Sequence, residues 1–193
     1  MSREERAAAT RDRLVAAARE LFAERGYGAV GTEELVRHAE VTRGALYHHY
    51  RDKQDLFLAV HEQMEGELVE AIGGKIAGIE DPEELLRVGI HSFLDAVMDP
   101  AVMQITLVDA PAVLGWVKWR EIDAKYGLGL IAGGLTLSMN SGFIPRQPVE
   151  PLAHLLLGAM GEAAMVIANA EDPAGAREEV EPPLIALVEG LSR

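Results

Sequence analysis

The sequence predicts an all-α protein of about nine helices, and three observations carry that reading. Apolar residues recur at three- and four-residue spacing in one segment after another. Capping residues stand at the head of most of these segments, and no run alternates as a half-buried strand does. A chain of 193 residues with 49% hydrophobic content suffices for one large core or two small ones. The absence of cysteine excludes a disulfide framework and a thiolate metal site, and fits a reducing cytoplasm. The opening MSREERAAATRDR is charged from Arg3 onward and has no secretory apolar run, so a cytoplasmic protein is expected.

The first helix carries Leu14, Ala17, Ala18, Leu21 and Phe22 on one stripe and stops near Arg25, because Gly26 stands where a left-handed terminus is wanted. Thr32 offers a hydroxyl to the free N–H groups of a short second helix reaching about Ala39, with Glu33 and Glu34 at the positive end of its dipole. Thr42 and Asp52 are two further N-caps. The first opens a helix of about two turns; the second opens a long one whose Phe57, Val60, Met64, Leu68 and Ile72 step by three or four until Gly73-Gly74. Asp81-Pro82, Asp99-Pro100 and Asp172-Pro173 each set a capping carboxylate before a proline suited to the first turn. The helix opened at Asp81 carries Leu86, Ile90, Phe93, Leu94 and Val97. Another helix begins after Pro148 and Pro151. Residues 127 to 144 hold eighteen positions without a charge, the lower edge of transmembrane length. Five glycines and the cluster Thr136, Ser138, Asn140 and Ser141 predict instead a buried helix of a soluble protein, with no membrane partner.

Charge divides the chain. Residues 1 to 56 hold ten Lys and Arg against ten Asp and Glu, whereas residues 57 to 193 hold eight against twenty-one, so the whole net charge of −13 lies in the second part. The first part is able to approach a polyanion and the second is repelled by one. Within the first, Glu40-Val41-Thr42 separates two short helices in the outline of a helix-turn-helix. On the third helix Arg43 and Tyr47, then Gly44 and His48, are i, i+4 pairs on one face, while Val41 and Leu46 reach the core. A cation, a bare backbone, a phenol and an imidazole suit a groove of phosphates and base edges, and Lys53 adds a charge for a phosphate. A surface patch or protein-contact site is the plainer alternative for the same residues. The His48-His49 pair does not make a metal site, since adjacent helical residues diverge by about 100°. HEQME at 61 to 65 lacks the second His of a zinc-protease helix. No metal, cofactor or catalytic residue is expected.

Residues 13 to 60, RLVAAARELFAERGYGAVGTEELVRHAEVTRGALYHHYRDKQDLFLAV, resemble the DNA-binding domain of the tetracycline-repressor (TetR) family of bacterial transcriptional regulators. The likeness runs without a gap through ELFAERGY, residues 32 to 39, LYHHY and DKQDLF. It implies a homodimer of all-helical subunits, with a helix-turn-helix domain over residues 1–56 and a larger ligand-binding and dimerisation domain over residues 57–193. It makes Thr32, Thr42, Arg43, Gly44, Tyr47, His48, His49 and Lys53 the DNA-contacting set. Two positions depart from the family's pattern. Glu40 stands in the turn where Gly is usual, which strains a left-handed backbone and puts a carboxylate near DNA. Gly31 replaces a hydroxyl residue often found beside Thr32.

Beyond residue 57 the likeness is one of general plan. In such regulators the last two helices of each subunit form a four-helix bundle across the dimer axis. Here Leu152, Leu155, Ala159, Ala163 and Val166 supply one stripe, and Leu184, Leu187, Val188 and Leu191 the other. Gly158, Gly161 and Ala164 add small residues that admit a close partner; a completed monomer core is the plainer use of both stripes. The ligand cavity is expected within residues 90 to 143. Its candidate lining is His91, Met98, Met103, Asp109, Trp116, Trp119, Tyr126 and Asn140, each of which is equally suited to ordinary core. Trp116 and Trp119 share a helix face and favour a flat apolar ligand, and an acidic group such as Asp95 or Asp109, turned inward, favours a positive charge.

These features predict a regulator rather than an enzyme. The leading expectation is a repressor that binds a palindromic operator in double-stranded DNA and is released when a small lipophilic inducer selects the other conformation. A helical enzyme would pair His91 or His154 with Asp95 or Asp109, but no nucleophile–base spacing supports it and the basic face would go unexplained. A regulator whose signal is a protein partner is the third possibility.

Overall fold

A computed structural model describes residues 2–192, and no strand occurs among them. α1 (Arg3–Ala29) opens with a reciprocal capping box, in which Ser2 Oγ accepts from the Glu5 N–H and the Glu5 carboxylate accepts from the Ser2 N–H. Gly26, at φ 74° and ψ 157°, breaks this helix where a stop is expected, and residues 27–29 form one further turn. α2 (Thr32–His38) and α3 (Arg43–His49) follow, then α4 (Lys53–Ile76) and α5 (Pro82–Val97). α6 (Pro100–Leu114) is composite; α7 (Trp116–Asn140), α8 (Val149–Ala168) and α9 (Pro173–Glu189) complete the series. That is nine helices among the described residues, counting α6 once.

The local capping signals at Thr42, Asp52, Asp81 and Asp172 are used as the sequence suggests: each side chain accepts from the N–H three residues on. Three details differ from expectation. Gly31, not Thr32, is the N-cap of α2, in an extended conformation and without a side-chain bond, so the helix begins one residue earlier than the hydroxyl signal implies. The Gly73-Gly74 pair does not end α4. Ile72 on one side is buried and Ile76 on the other lines a cavity, and the stop moves to Gly78 at φ 80°. At Asp99-Pro100 only one α-turn forms, Pro100–Val102, before a π-helical stretch Met103–Asp109 and a last turn Ala110–Leu114. Proline explains the widening. Pro111 has no N–H for the carbonyl four residues back and its ring presses toward it, while the Ala110 N–H reaches five residues back to Ile105.

The chain forms two compact units. One contains the residues up to Met64 and Pro100–Trp119; the other contains Glu65–Asp99 and the residues from Arg120 on. The division therefore differs from a boundary at residue 56/57: the unit bearing the helix-turn-helix takes the start of α4 and all of α6. Its core is built on Leu14, Phe22, Leu35, Leu46, Phe57 and Ile105, with Phe22, Tyr27 and Phe57 in tilted or edge contacts at 5.1–5.6 Å. In the second unit α9 packs on α5 and α8, burying Leu94, Leu156, Ile167, Leu184 and Val188.

The uncharged stretch at 127–144 occupies the second half of α7 and the turn after it. Its hydroxyls are satisfied within the helix, Thr136 donating to the Ala132 carbonyl at 2.7 Å and Ser138 to the Gly134 carbonyl at 2.9 Å. The described helix long and apolar enough to cross a bilayer by length and composition is α8 instead.

Candidate nucleic-acid interface and ligand cavity

α2 and α3 are seated on α1 by charged and apolar contacts together. Arg25 forms a fork on Glu34 at 2.6 and 3.0 Å and donates to the Ala29 carbonyl, tying the end of α1 to α2. The Arg25 bond holds the Glu34 carboxyl below its ordinary range. Leu35 and Leu46 are fully buried, and Tyr50, closing α3, is buried with its hydroxyl 3.4 Å from Arg11 Nε. The link between α2 and α3 is a complete Schellman motif: the Val41 N–H donates to the Val36 carbonyl at 2.9 Å and the Glu40 N–H to the Arg37 carbonyl at 3.2 Å. Glu40 occupies its left-handed position at φ 53°, the one described non-glycine residue with positive φ.

This frame leaves one face of α3 to solvent. Thr42, Arg43, Gly44, Tyr47 and His48 are all exposed, and no β-carbon neighbour lies within 3.9 Å of Gly44. Arg43 lies 5.6 Å from the Tyr47 ring centroid and 3.7 Å from the exposed Glu33 carboxylate, contacts loose enough to exchange for a phosphate or a base edge. His48 and His49 touch edge to face at 5.1 Å; His49 is half-buried, and burial followed by His48 and Arg11 pushes its pKa down. Thr32 is half-buried at the start of α2. Lys53 is placed differently from a free point charge. Its Nζ donates to the Tyr27 and Val30 carbonyls at 2.8 and 2.9 Å and sits 3.8 Å from the Tyr27 ring centroid. Burial lowers its pKa while Asp109 opposes that shift. Asp109 in turn accepts from the Tyr27 N–H at 2.7 Å, so the turn after Gly26 is clamped from α4 and α6 at once.

The second unit contains an apolar cavity of about 110 Å³ lined by α4, α5, α7, α8 and α9. Its wall is formed by residues such as Leu68, Ile72, Phe93, Leu130, Leu157 and Leu184, with Glu65 and Asp123 the polar side chains among the described lining residues. Burial drives the Glu65 pKa up to about 8, with a further rise from Asp123; burial also raises Asp123, against the opposing effect of Arg120.

None of the eight residues expected to line the cavity does so. Met103, Asp109, Trp116 and Trp119 belong to the other unit, where Trp119 is 3% exposed and Trp116 56% exposed, their rings 4.9 Å apart. His91 lies in a surface cluster with Asp95, Arg177 and Glu181, 2.7 Å from Glu181. Met98 caps α5, Asn140 is exposed at the end of α7, and Tyr126 carries Lys125 Nζ 4.8 Å from its ring centroid. The difference has a physical origin: α6 turns its side chains into the first unit, so proximity in sequence to α5 and α7 does not bring them to this cavity. Glu65 and Asp123 were overlooked although a signal existed. Each is a carboxylate set in a helical apolar stripe, Glu65 before Leu68, Val69 and Ile72, and Asp123 before Gly127, Leu130, Ile131 and Gly134.

The expected dimer stripes separate in the same way. Leu152, Ala163, Leu184 and Val188 are buried inside the subunit, whereas Leu155 is 71% exposed and Val166 and Leu187 are exposed too; Ala159 and Leu191 are half-buried. Among the described residues no group of three or more His, Cys, Asp or Glu is arranged to hold a metal ion.

Residues 83–191 match the family profile described as "Tetracyclin repressor-like, C-terminal domain", and residues 14–60 match "Bacterial regulatory proteins, tetR family". A solved TetR-family transcriptional regulator from Pectobacterium atrosepticum superposes with a TM-score of 0.89 at 32% identity, over 99% of this chain and 97% of that one. The Transposon Tn10 TetC protein of Escherichia coli is 27% identical over 145 residues, 75% of this chain and 73% of its own. The HTH-type transcriptional activator FasR of Mycolicibacterium smegmatis is 33% identical over 87 residues, 45% of this chain and 40% of its own.

Proposed function

The chain belongs to the TetR family of bacterial DNA-binding transcriptional regulators, and we propose that it is a ligand-responsive repressor that acts in the cytoplasm, binding a palindromic operator as a homodimer. The observation that carries this reading is the exposed face of α3, on which Thr42, Arg43, Gly44, Tyr47 and His48 stand together on a rigidly seated short helix. In the proposed complex Arg43 reads base edges, Tyr47 and His48 flank it, and Gly44 admits the sugar-phosphate wall. Thr32 and His49, half-buried in the free protein, contribute at the edge of that face. Lys53 holds the turn after Gly26 and presents the start of α4 to a phosphate.

The homodimer reading draws on the two-sided apolarity of α8. One side is used inside the subunit; the other offers Leu155, Ala159 and Val166, and α9 adds Leu187 and Leu191. A second copy covering this surface by two-fold symmetry gives an isologous interface, and two symmetry-related α3 helices call for a palindromic operator. The inducer is a small lipophilic molecule held in the cavity of the second unit.

Selection of binding sites from random DNA tests the whole reading. A palindrome with half-sites about one helical turn or a multiple apart is expected; recovery of single asymmetric half-sites overturns the homodimer, and no enrichment overturns DNA recognition by α3.

A further inference from the structure

Between residues 25 and 53 the Lys and Arg side chains are Arg25, Arg37, Arg43, Arg51 and Lys53, and each has a partner inside the protein. Arg25 is forked on Glu34, and Arg37 lies 4.0 Å from the same carboxylate. Arg51 pairs with Asp55 at 3.2 Å, Lys53 donates to two backbone carbonyls, and Arg43 lies 3.7 Å from Glu33. Sequence-independent attraction to DNA is electrostatic, so cations paired in this way contribute less of it, and a net charge of −13 opposes it further.

Of these pairs, Arg43 with Glu33 stands on the exposed face of α3. The Arg43 side chain is 64% exposed and that of Glu33 83%, so burial locks neither in place. Glu33 differs in this from the next residue. Glu34 ties α2 to the end of α1 through Arg25, whereas the Glu33 carboxylate reaches across to α3 and otherwise only faces the positive end of the α2 dipole. With the Tyr47 ring centroid 5.6 Å from Arg43 Cζ, the guanidinium is held between a carboxylate of α2 and a phenol of its own helix.

Resting on the reading of α3 as the recognition helix, we infer that Glu33 is a specificity-determining residue: it withholds Arg43 from phosphates and releases it to guanine. A phosphate offers Arg43 one anion in exchange for another, and the exchange strands the Glu33 carboxylate beside a polyanion. Guanine strands it too, but presents O6 and N7 to two N–H groups of the planar fork at once. The pair therefore weakens docking on unrelated sequence more than docking on the operator. Specificity is the ratio of the two affinities, and a penalty confined to the wrong partner raises it.

The intact protein is titrated by fluorescence anisotropy with the selected operator and with a random-sequence duplex of equal length. Glu33→Gln should tighten binding to the random duplex more than to the operator, so that the affinity ratio falls about two- to fivefold, the range of an exposed ion pair. Glu33→Ala should repeat this, and neither should lower the unfolding midpoint appreciably. Glu40→Gln removes a carboxylate that has no described contact with Arg43, and should tighten both complexes alike. In an Arg43→Ala background Glu33→Gln should leave the ratio unchanged. At the base whose preference Arg43→Ala relaxes, replacing guanine by 7-deazaguanine, which lacks the N7 acceptor, should cost the unsubstituted protein at least about fivefold. The assignment is overturned if Glu33→Gln shifts both affinities equally, if its effect on the ratio survives the loss of Arg43, or if the base that Arg43 reads is not guanine. It is overturned too if operator affinity and unfolding midpoint fall together, which would give Glu33 to the fold. In all of these cases α3 remains the recognition helix. If Arg43→Ala changes neither the ratio nor any base preference, that reading fails and this inference with it.

Discussion

Replacing Glu40 by glycine separates backbone strain from charge in the helix-turn-helix. Glu40 holds φ 53° while its N–H and that of Val41 are both bonded to carbonyls of α2, so the motif dictates the conformation and the side chain bears the cost. A left-handed conformation costs an L-residue about 1–2 kcal/mol, and the greater freedom of glycine in the unfolded chain takes back about 0.4–1 kcal/mol. The Glu40→Gly protein should thus be more stable by about 0.5–1 kcal/mol, equivalent to a rise in Tm of about 1–4 °C for a chain of this size. Glu40→Ala is the control, because it removes the carboxylate but keeps the β-carbon. Chemical denaturation followed by circular dichroism compares the two. Only the glycine variant should gain stability, whereas both should bind DNA more tightly at low salt, since each removes a negative charge beside the reading helix. A glycine variant no more stable than the alanine variant refutes the strain argument.

Other substitutions divide along lines set by the same structure. Arg43→Ala should leave stability unchanged and relax base preference at one operator position by about 1–3 kcal/mol, read from a panel of single-base operator variants. Lys53→Ala should weaken DNA binding and also destabilise the protein by about 1–3 kcal/mol, because two partly buried carbonyls lose their donor; unchanged unfolding would place the ammonium elsewhere. Leu155→Glu should yield folded monomers in sedimentation, whereas Leu184→Glu should prevent folding, since the first side chain is in solvent and the second in the core. Stability should peak between about pH 4.5 and 6.5, where the Glu65 and His61 contributions offset each other. Glu65 has its pKa raised from 4.5 to about 8 on folding, so the folded state binds the extra proton and loses stability as pH rises through that interval. His61, lowered from 6.5 to about 4, loses stability as pH falls below 6.5. Glu65→Gln should flatten the alkaline limb of a pH–denaturation series and His61→Gln the acidic one.

Legibility followed the range of the interaction. Thr42, Asp52, Asp81 and Asp172 act on the backbone three residues away, and each could be read directly. The positive φ of Gly26 and Glu40 was legible for the same reason. Gly73-Gly74 misled because local propensity of about 1 kcal/mol per glycine is outweighed by the packing of Ile72 and Ile76. The exposed face of α3 followed from helical periodicity alone. The cavity did not: which of several apolar stripes meet around it is decided between α4, α5, α7, α8 and α9, far apart in sequence. The two tryptophans were drawn to it by size and composition, whereas the polar side chains of its described lining, Glu65 and Asp123, were exceptions within stripes that otherwise read as core.

The unit that carries α2 and α3 is discontinuous in the chain, and protein synthesis meets that fact in time. Residues up to Met64 leave the ribosome well before Pro100–Trp119, which supply the rest of their unit. At about 5–20 residues per second the interval between Met64 and Trp119 lasts about 3–11 s. Throughout it α1 waits without α6, the Tyr27 N–H without the Asp109 carboxylate and the Gln54 side chain without the Val113 carbonyl. By then the chain has also delivered Glu65–Asp99, which contains every described residue that α4 and α5 bring to the cavity wall.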